Sequence, residues 1–121
     1  QIPIAYCLAY PGRVTLDLKP LDLAQIGTLT FEPPDEELFP CLGLAKKALE
    51  AGPSYMVVLN AANEIAVELF LQEKINFLHI PEIISRALDQ HEGQEIDSLQ
   101  AILELDSRTR QLVNSGCIRY D

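Results

Sequence analysis

Asn60, Glu64 and Glu68 recur every four residues in and just beyond the stretch Leu59-Asn-Ala-Ala-Asn-Glu-Ile65. On a helix that spacing stacks side chains one turn apart on one face. Glu64 and Glu68 therefore offer a pair of carboxylates, which can bind Mg²⁺ or share a proton. The same spacing is common on solvated helices, and the structural reading carries more weight. A second acidic group, Glu32, Asp35, Glu36 and Glu37, flanks Pro33-Pro34. It can gather a cation, but it fits an exposed loop and a negative helix start better. His79 and His91 stand twelve residues apart, with no H-x-x-x-H and no cysteine pair, so no zinc pattern forms. His79, just before Ile80-Pro81, reads as a residue at a helix start. Nucleophile patterns are missing too: there is no G-x-S-x-G and no cysteine with a nearby histidine. The six glycines form neither G-x-G-x-x-G nor G-x-x-x-x-G-K, and Lys46-Lys47 lie on a solvated helix face. The residues alone assign no catalytic, cofactor-binding or metal-ligating position.

The elements that carry these residues divide the chain. The first third is punctuated by proline. Pro3 suits the first turn of a short helix to about Tyr10, ended by Pro11-Gly12. Val14 to Leu18 and Thr28 to Phe31 have strand-like or extended character. Between them Asp22 can cap a single turn through Gln25, closed by Gly27. Nothing in this region is long enough to build a core, so it reads as a connector needing another surface. The remainder reads as helices. Pro40 opens one whose face is Leu42, Ala45, Ala48 and Leu49, and Gly52 stops it. Pro53-Ser54 opens the next, to about Glu73, and Ile75-Asn-Phe77 is a short extended link. Pro81 starts a third with Ile80, Ile84 and Leu88 inward, and His91-Glu-Gly93 breaks it. Asp97 with Gln100 resembles a capping box for a fourth. That helix carries Leu99, Ile102, Leu103, Leu105, Thr109, Leu112 and Val113 and is closed by Gly116. The expected fold is mainly α: a small antiparallel four-helix bundle preceded by a proline-rich extended connector.

In the second helix Val58, Leu59, Ala62, Ile65, Ala66, Leu69 and Phe70 share one broad side. Asn60, Glu64 and Glu68 lie opposite, but among Val57, Val67 and Leu71 and close to Met56 and Asn63. A surface helix would be mostly charged there. This one is apolar nearly all round, which implies burial on two sides and partners for Asn60, Asn63 and Glu64.

Composition bounds the function. The chain has 121 residues, 48% of them apolar and 22% charged, a globular balance. Its net charge of -9 repels phosphate backbones, so nucleic acid is not an expected partner. No apolar run approaches the roughly 20 residues that span a bilayer, so no membrane crossing is expected. Cys7, Cys41 and Cys117, an odd count without C-x-x-C, suggest reduced thiols of a cytoplasmic protein. Gln1 at the start, with Met56 as the only methionine, suggests a piece cut from a longer chain.

The wording of the sequence adds a resemblance. Ile2-Pro-Ile-Ala-Tyr-Cys-Leu-Ala-Tyr-Pro11, Lys19-Pro-Leu-Asp-Leu23, Leu29-Thr-Phe31, Pro34-Asp35, Phe39-Pro-Cys-Leu42, Leu44-Ala45, Val58-Leu-Asn-Ala-Ala-Asn-Glu64, Phe77 through Ile80-Pro81 and Ser98-Leu99 follow one another. In that order and spacing, the chain to about residue 106 resembles the C-terminal portion of 1-deoxy-D-xylulose 5-phosphate reductoisomerases. The resemblance implies an enzyme that rearranges its substrate and reduces it with NADPH, using Mg²⁺ or Mn²⁺. The product is 2-C-methyl-D-erythritol 4-phosphate, in non-mevalonate isoprenoid biosynthesis. It also implies a full-length cytoplasmic homodimer with a Rossmann domain, a catalytic domain and a C-terminal helical domain. The nucleotide loop, metal ligands and substrate-phosphate residues would all lie upstream, so none is carried onto this chain and the piece alone is expected to be inactive. Residues 1–34 would be the end of the catalytic domain and a connector, and 35–121 the helical domain. Asn60, Asn63 and Glu64 would be stitched to the connector or the catalytic domain. Gly52-Pro53 stands where a more flexible glycine-rich link is usual, and Cys117-Ile-Arg-Tyr-Asp121 matches no motif of the family. The alternatives are a free-standing helical protein-interaction module and, more remotely, a small acidic metal enzyme using Glu64 and Glu68 or the Glu32–Glu37 run.

Overall fold

A computed structural model describes residues 2–116 of the chain. Two compact units divide it, Gln1–Glu32 and Pro33–Asp121. The first contains α1 (Ile2–Ala9) and the single turn α2 (Leu23–Ile26). Asp22 caps α2: its Oδ1 accepts from the N–H groups of Ala24 (3.0 Å) and Gln25 (3.2 Å). Gly27, at φ 73°, closes the turn by donating to the Leu23 carbonyl. This is the expected capped turn, and the left-handed angle explains the glycine. The two strand-like stretches do not become strands, and no strand occurs among the described residues. β-Branched and aromatic residues favour a pleated surface only where a second strand supplies the ladder. Here the backbone makes tight local bonds instead, Leu18 N–H to Leu16 O and Thr28 N–H to Ile26 O. No residue of α1 is buried, and Ile2, Ile4, Leu8 and Tyr10 stay open, as do Leu21, Leu29 and Phe31.

The second unit contains α3 (Cys41–Ala51), α4 (Pro53–Leu71), α5 (His79–Asp89) and α6 (Leu99–Asn114). The helical class and the four helices agree with the sequence. α4 is the central one, packed against α3, α5 and α6. The core gathers Val58, Ala62, Ile65 and Ala66 from α4 with Ile80, Ile83, Ile84 and Ala87 from α5. Leu105 and Val113 of α6 and Ile75 of the α4–α5 link complete it. Alanines 61, 62 and 66 are 0% exposed, so α4 meets its neighbours through methyl groups. α4 is also long and apolar enough to cross a membrane by length and composition alone, which corrects the expectation that no such run exists. Its contacts with three helices account for that apolarity.

Several local expectations shift. On α3 the inward side chains are Leu44 and Ala48, which meet α4 and α5, whereas Leu42 and Leu49 are exposed. Ile83, which the sequence did not single out, is fully buried, and Leu99 is exposed. α5 begins at His79 rather than Pro81, and the proline still sits in the first turn, where no N–H is needed. Pro40 precedes the first residue of α3 and supplies the carbonyl that accepts from Leu44. Ser98, not Asp97, caps α6, accepting from the Ala101 N–H at 3.2 Å. The helix therefore starts one residue later than a capping box at Asp97 requires. α4 ends on paired bonds, Lys74 N–H to Leu69 O and Glu73 N–H to Phe70 O (both 2.9 Å). Glu73 there adopts φ 57°, the left-handed position usually given to glycine.

Candidate functional site

The polar residues of α4 face α6. Asn60 donates from Nδ2 to Glu64 Oε1 at 3.0 Å. Arg110 reaches across from α6, its Nη2 2.5 Å from Glu64 Oε2. The same guanidinium holds Asp106, one turn back on α6, through Nε at 2.6 Å and Nη2 at 3.1 Å. One cation thus binds two carboxylates, and an amide supports one of them. The hydrogen bond from Arg110, followed by that from Asn60, holds the Glu64 carboxyl below its usual range. The same pairing, led by Asp106, pushes Arg110 further up. Glu64 is therefore a saturated anion and not a base waiting for a proton. It is open to solvent, so the network fixes the register of α4 against α6 more than it adds stability.

The suspected carboxylate pair does not form. Glu68 accepts from Gln72 Nε2 at 2.9 Å, away from the Arg110 network. Asn63 is half-buried and belongs to neither set. Of the three residues expected to be stitched to the connector or the catalytic domain, Asn60 and Glu64 have hydrogen-bond partners within α4 and α6. The Glu32–Glu37 run also divides its labour. Asp35 Oδ1 caps a turn, accepting from Glu37 N–H (3.1 Å) and Leu38 N–H (2.9 Å), while Glu36 pairs with Lys46. Among the described residues no three of His, Cys, Asp and Glu converge as a metal site. Cys7 and Cys41 are free thiols, and partial burial pushes Cys41 up, away from thiolate reactivity. Cys117 lies outside the described residues.

His79 behaves as a residue at a helix start: its Nδ1 accepts from the Asn76 N–H at 3.1 Å, and its own N–H donates to the Asn76 carbonyl. His91 does more than break a helix. Its Nε2 lies 2.9 Å from Ser54 Oγ, and that oxygen also accepts the Gln94 N–H at 3.2 Å. Tyr55 Oη donates to the His91 carbonyl at 3.1 Å, and the two rings meet edge-on at 4.7 Å. A side chain on Gly93 would stand 3.2 Å from the Tyr55 ring, and φ is +73° there, so two reasons demand glycine. On α6, Arg108 donates to Gln94 Oε1 at 3.1 Å. Burial, and then the charge of Arg108, hold His91 below its ordinary value, so the ring is neutral near pH 7. Ser54 and His91 have the spacing of a nucleophile and its base. Yet Ser54 is only 3% exposed, and its oxygen is committed to the Gln94 backbone. The arrangement is a clasp that pins the α5–α6 link to the start of α4. The sequence offered no sign of it, since its partners stand 36 to 40 residues apart.

Comparison with known proteins matches residues 1–112 to the DXP reductoisomerase C-terminal domain. A 1-deoxy-D-xylulose 5-phosphate reductoisomerase of Nitratidesulfovibrio vulgaris (strain DP4) is 52% identical over 113 residues. That is 93% of this chain and 28% of the relative. The reductoisomerase of Zymomonas mobilis, solved in complex with NADPH, superposes with a TM-score of 0.82 at 35% identity, over 99% of this chain and 32% of that one. A DOX-P reductoisomerase solved in complex with magnesium gives 0.81 at 40% identity, over 97% and 31%. The chain spans less than a third of the length of the proteins it matches.

Proposed function

The chain belongs to the family of DXP reductoisomerase C-terminal domains, and we propose that it is the non-catalytic helical domain of such an enzyme. The whole enzyme converts 1-deoxy-D-xylulose 5-phosphate to 2-C-methyl-D-erythritol 4-phosphate with NADPH and Mg²⁺ or Mn²⁺, as a cytoplasmic homodimer. Residues 1–34 form the end of the catalytic domain and the connector, and 35–121 the helical domain, a four-helix antiparallel bundle. The partners of the domain are the catalytic and Rossmann domains of its own chain, with no nucleic acid or membrane. The observation that carries the reading is the 52% identity across 93% of this chain against 28% of the relative.

The residues support a structural role. Glu64 and Asp106 are consumed by Arg110, Glu68 by Gln72, and Glu36 by Lys46. Among the described residues no cluster of His, Cys, Asp and Glu fits a divalent ion, and the glycines of the sequence do not have the spacing of a loop that fits the pyrophosphate of NADPH. What the chain contributes is a stiff block: a methyl-lined central helix and polar ties that fix α6 and the α5–α6 link to it. A stiff support keeps catalytic groups elsewhere in place, where displacements of about 1 Å are costly.

Two assays test this. The chain alone, with 1-deoxy-D-xylulose 5-phosphate, NADPH and Mg²⁺, is expected to leave the NADPH absorbance constant, and turnover would overturn the non-catalytic assignment. A chimera in which this chain replaces the aligned segment of the Nitratidesulfovibrio relative is expected to turn over. A folded but dead chimera would count against the supporting role.

A further inference from the structure

A second feature of the bundle goes beyond that reading. A pocket of about 340 Å³ opens between α4, α5, α6 and the α5–α6 link. Its floor is apolar: Val58, Ala87 and Leu105, each 2% exposed, with half-buried Leu112 beside them. Its rim carries His91, Arg108 and Glu92. The volume lies at the lower end of small-molecule sites, roughly 300–1,000 Å³. An apolar floor with a few placed polar groups is their usual chemistry.

Two donors line this pocket with little to hold. Ser54 Oγ accepts the Gln94 N–H and lies 2.9 Å from His91 Nε2, which leaves Nδ1 as the ring nitrogen open to a ligand and a donor once the ring is protonated. The described residues supply no hydrogen-bond partner for Nδ1. Arg108 bonds only the neutral amide of Gln94 and has no carboxylate partner among the described residues, although the chain carries twice as many acidic as basic residues. A guanidinium fork and a ring N–H over an apolar floor match a carboxylate with an apolar tail. Glu92 on the same rim opposes a second negative charge, which favours a monoanion over a phosphate ester. We propose that this pocket is a binding site for a small aliphatic monocarboxylate, its head on Arg108 and His91 and its tail on Val58, Ala87 and Leu105.

The site has a signature that simple greasiness lacks. Of the titratable and charged groups, Arg108 from α6 and Tyr55 from α4 face His91, and Glu92 of the link lines the same pocket. Burial first, and then the charge of Arg108, hold down the protonation of His91. A bound anion offsets Arg108, so it raises the titration midpoint of His91. By linkage the anion then binds more tightly as pH falls through that midpoint.

The probe is hexanoate, titrated into the ¹⁵N-labelled chain, with hexanol, hexylammonium and acetate as comparators. Hexanoate is expected to shift the amides of Val58, Ala87 and Leu105 saturably and to raise the His91 midpoint. Hexanol should bind at least about tenfold more weakly, the worth of one charge-assisted hydrogen bond. Arg108→Gln, at an exposed position, should abolish the preference for hexanoate over hexanol while leaving the amide dispersion of the free protein intact. The proposal is overturned by equal binding of hexanoate and hexanol or hexylammonium, by the absence of saturable shifts at those amides, or by an unchanged preference in Arg108→Gln. None of these outcomes bears on the reductoisomerase assignment.

Discussion

Glu73 shows how much one backbone angle can decide. It ends α4 at φ 57° with no side-chain reason to be there, since its N–H and that of Lys74 make the helix-closing bonds. A non-glycine residue at that angle costs about 1 kcal/mol, partly offset because glycine is freer in the unfolded chain. Glu73→Gly is therefore expected to stabilise the bundle by about 0.5 kcal/mol, read as a higher denaturation midpoint in urea with an unchanged slope. A lower midpoint would show that the glutamate side chain makes a contribution of its own. At this scale the sequence was partly legible. The i, i+4 pattern announced that Asn60 and Glu64 share a face and need partners, but it could not name Arg110, 46 residues away. Periodicity carries information about neighbours within a turn or two and none about which helix lies opposite.

The link between α5 and α6 is the element whose order depends most on side chains. Ser54, Tyr55, His91, Gln94 and Arg108 hold it to α4 and α6. Ser54→Ala leaves the Gln94 N–H and the His91 ring without that oxygen, and the loss of such part-buried hydrogen bonds costs about 1–3 kcal/mol. We expect a loss of that size in chemical denaturation, with the largest gain in amide exchange at residues 91–96. The same clasp sets a pH dependence. His91 has a folded value below its unfolded value of 6.5, so it contributes stability fully above 6.5 and loses it as pH falls through the folded value. Thermal midpoints should therefore fall below pH 6.5 in the native chain, and His91→Gln should flatten that part of the profile. Helix existence was readable from proline, glycine and apolar spacing, and all four bundle helices stand where the sequence put them to within a few residues. The inward faces were less readable. Leu42 and Leu49 obey the spacing of a buried stripe, but of that stripe Ala48 is the buried member, and α3 packs through it and through Leu44. A helix with apolar residues on two sides cannot tell from its own sequence which side a neighbour will cover.

For the molecule as a whole, the contrast is between a unit with a core and a unit without one. The bundle buries a continuous cluster from Val58 to Val113, whereas α1 and the residues after it leave Ile2, Ile4, Leu8, Leu21 and Phe31 in solvent. Burying each such side chain is worth about 1.5–3 kcal/mol, and in the isolated chain the first unit gains little of it. Hydrogen exchange of the chain by itself is expected to show residues 2–30 exchanging within seconds while Ile83, Ala62 and Leu105 stay protected. Equal protection in a monomer would mean that the leader has a covering surface of its own.

Alanines 61, 62 and 66 give α4 a waist with nothing to trim and no room to add. Where most cores can trade a leucine for a methionine, this seam can only trade down to glycine, at the expense of the helix, or up to a wedge between neighbours. A library randomised along α4 should therefore find its narrowest tolerance at three of the smallest side chains, and not at the asparagines and glutamate that first draw the eye.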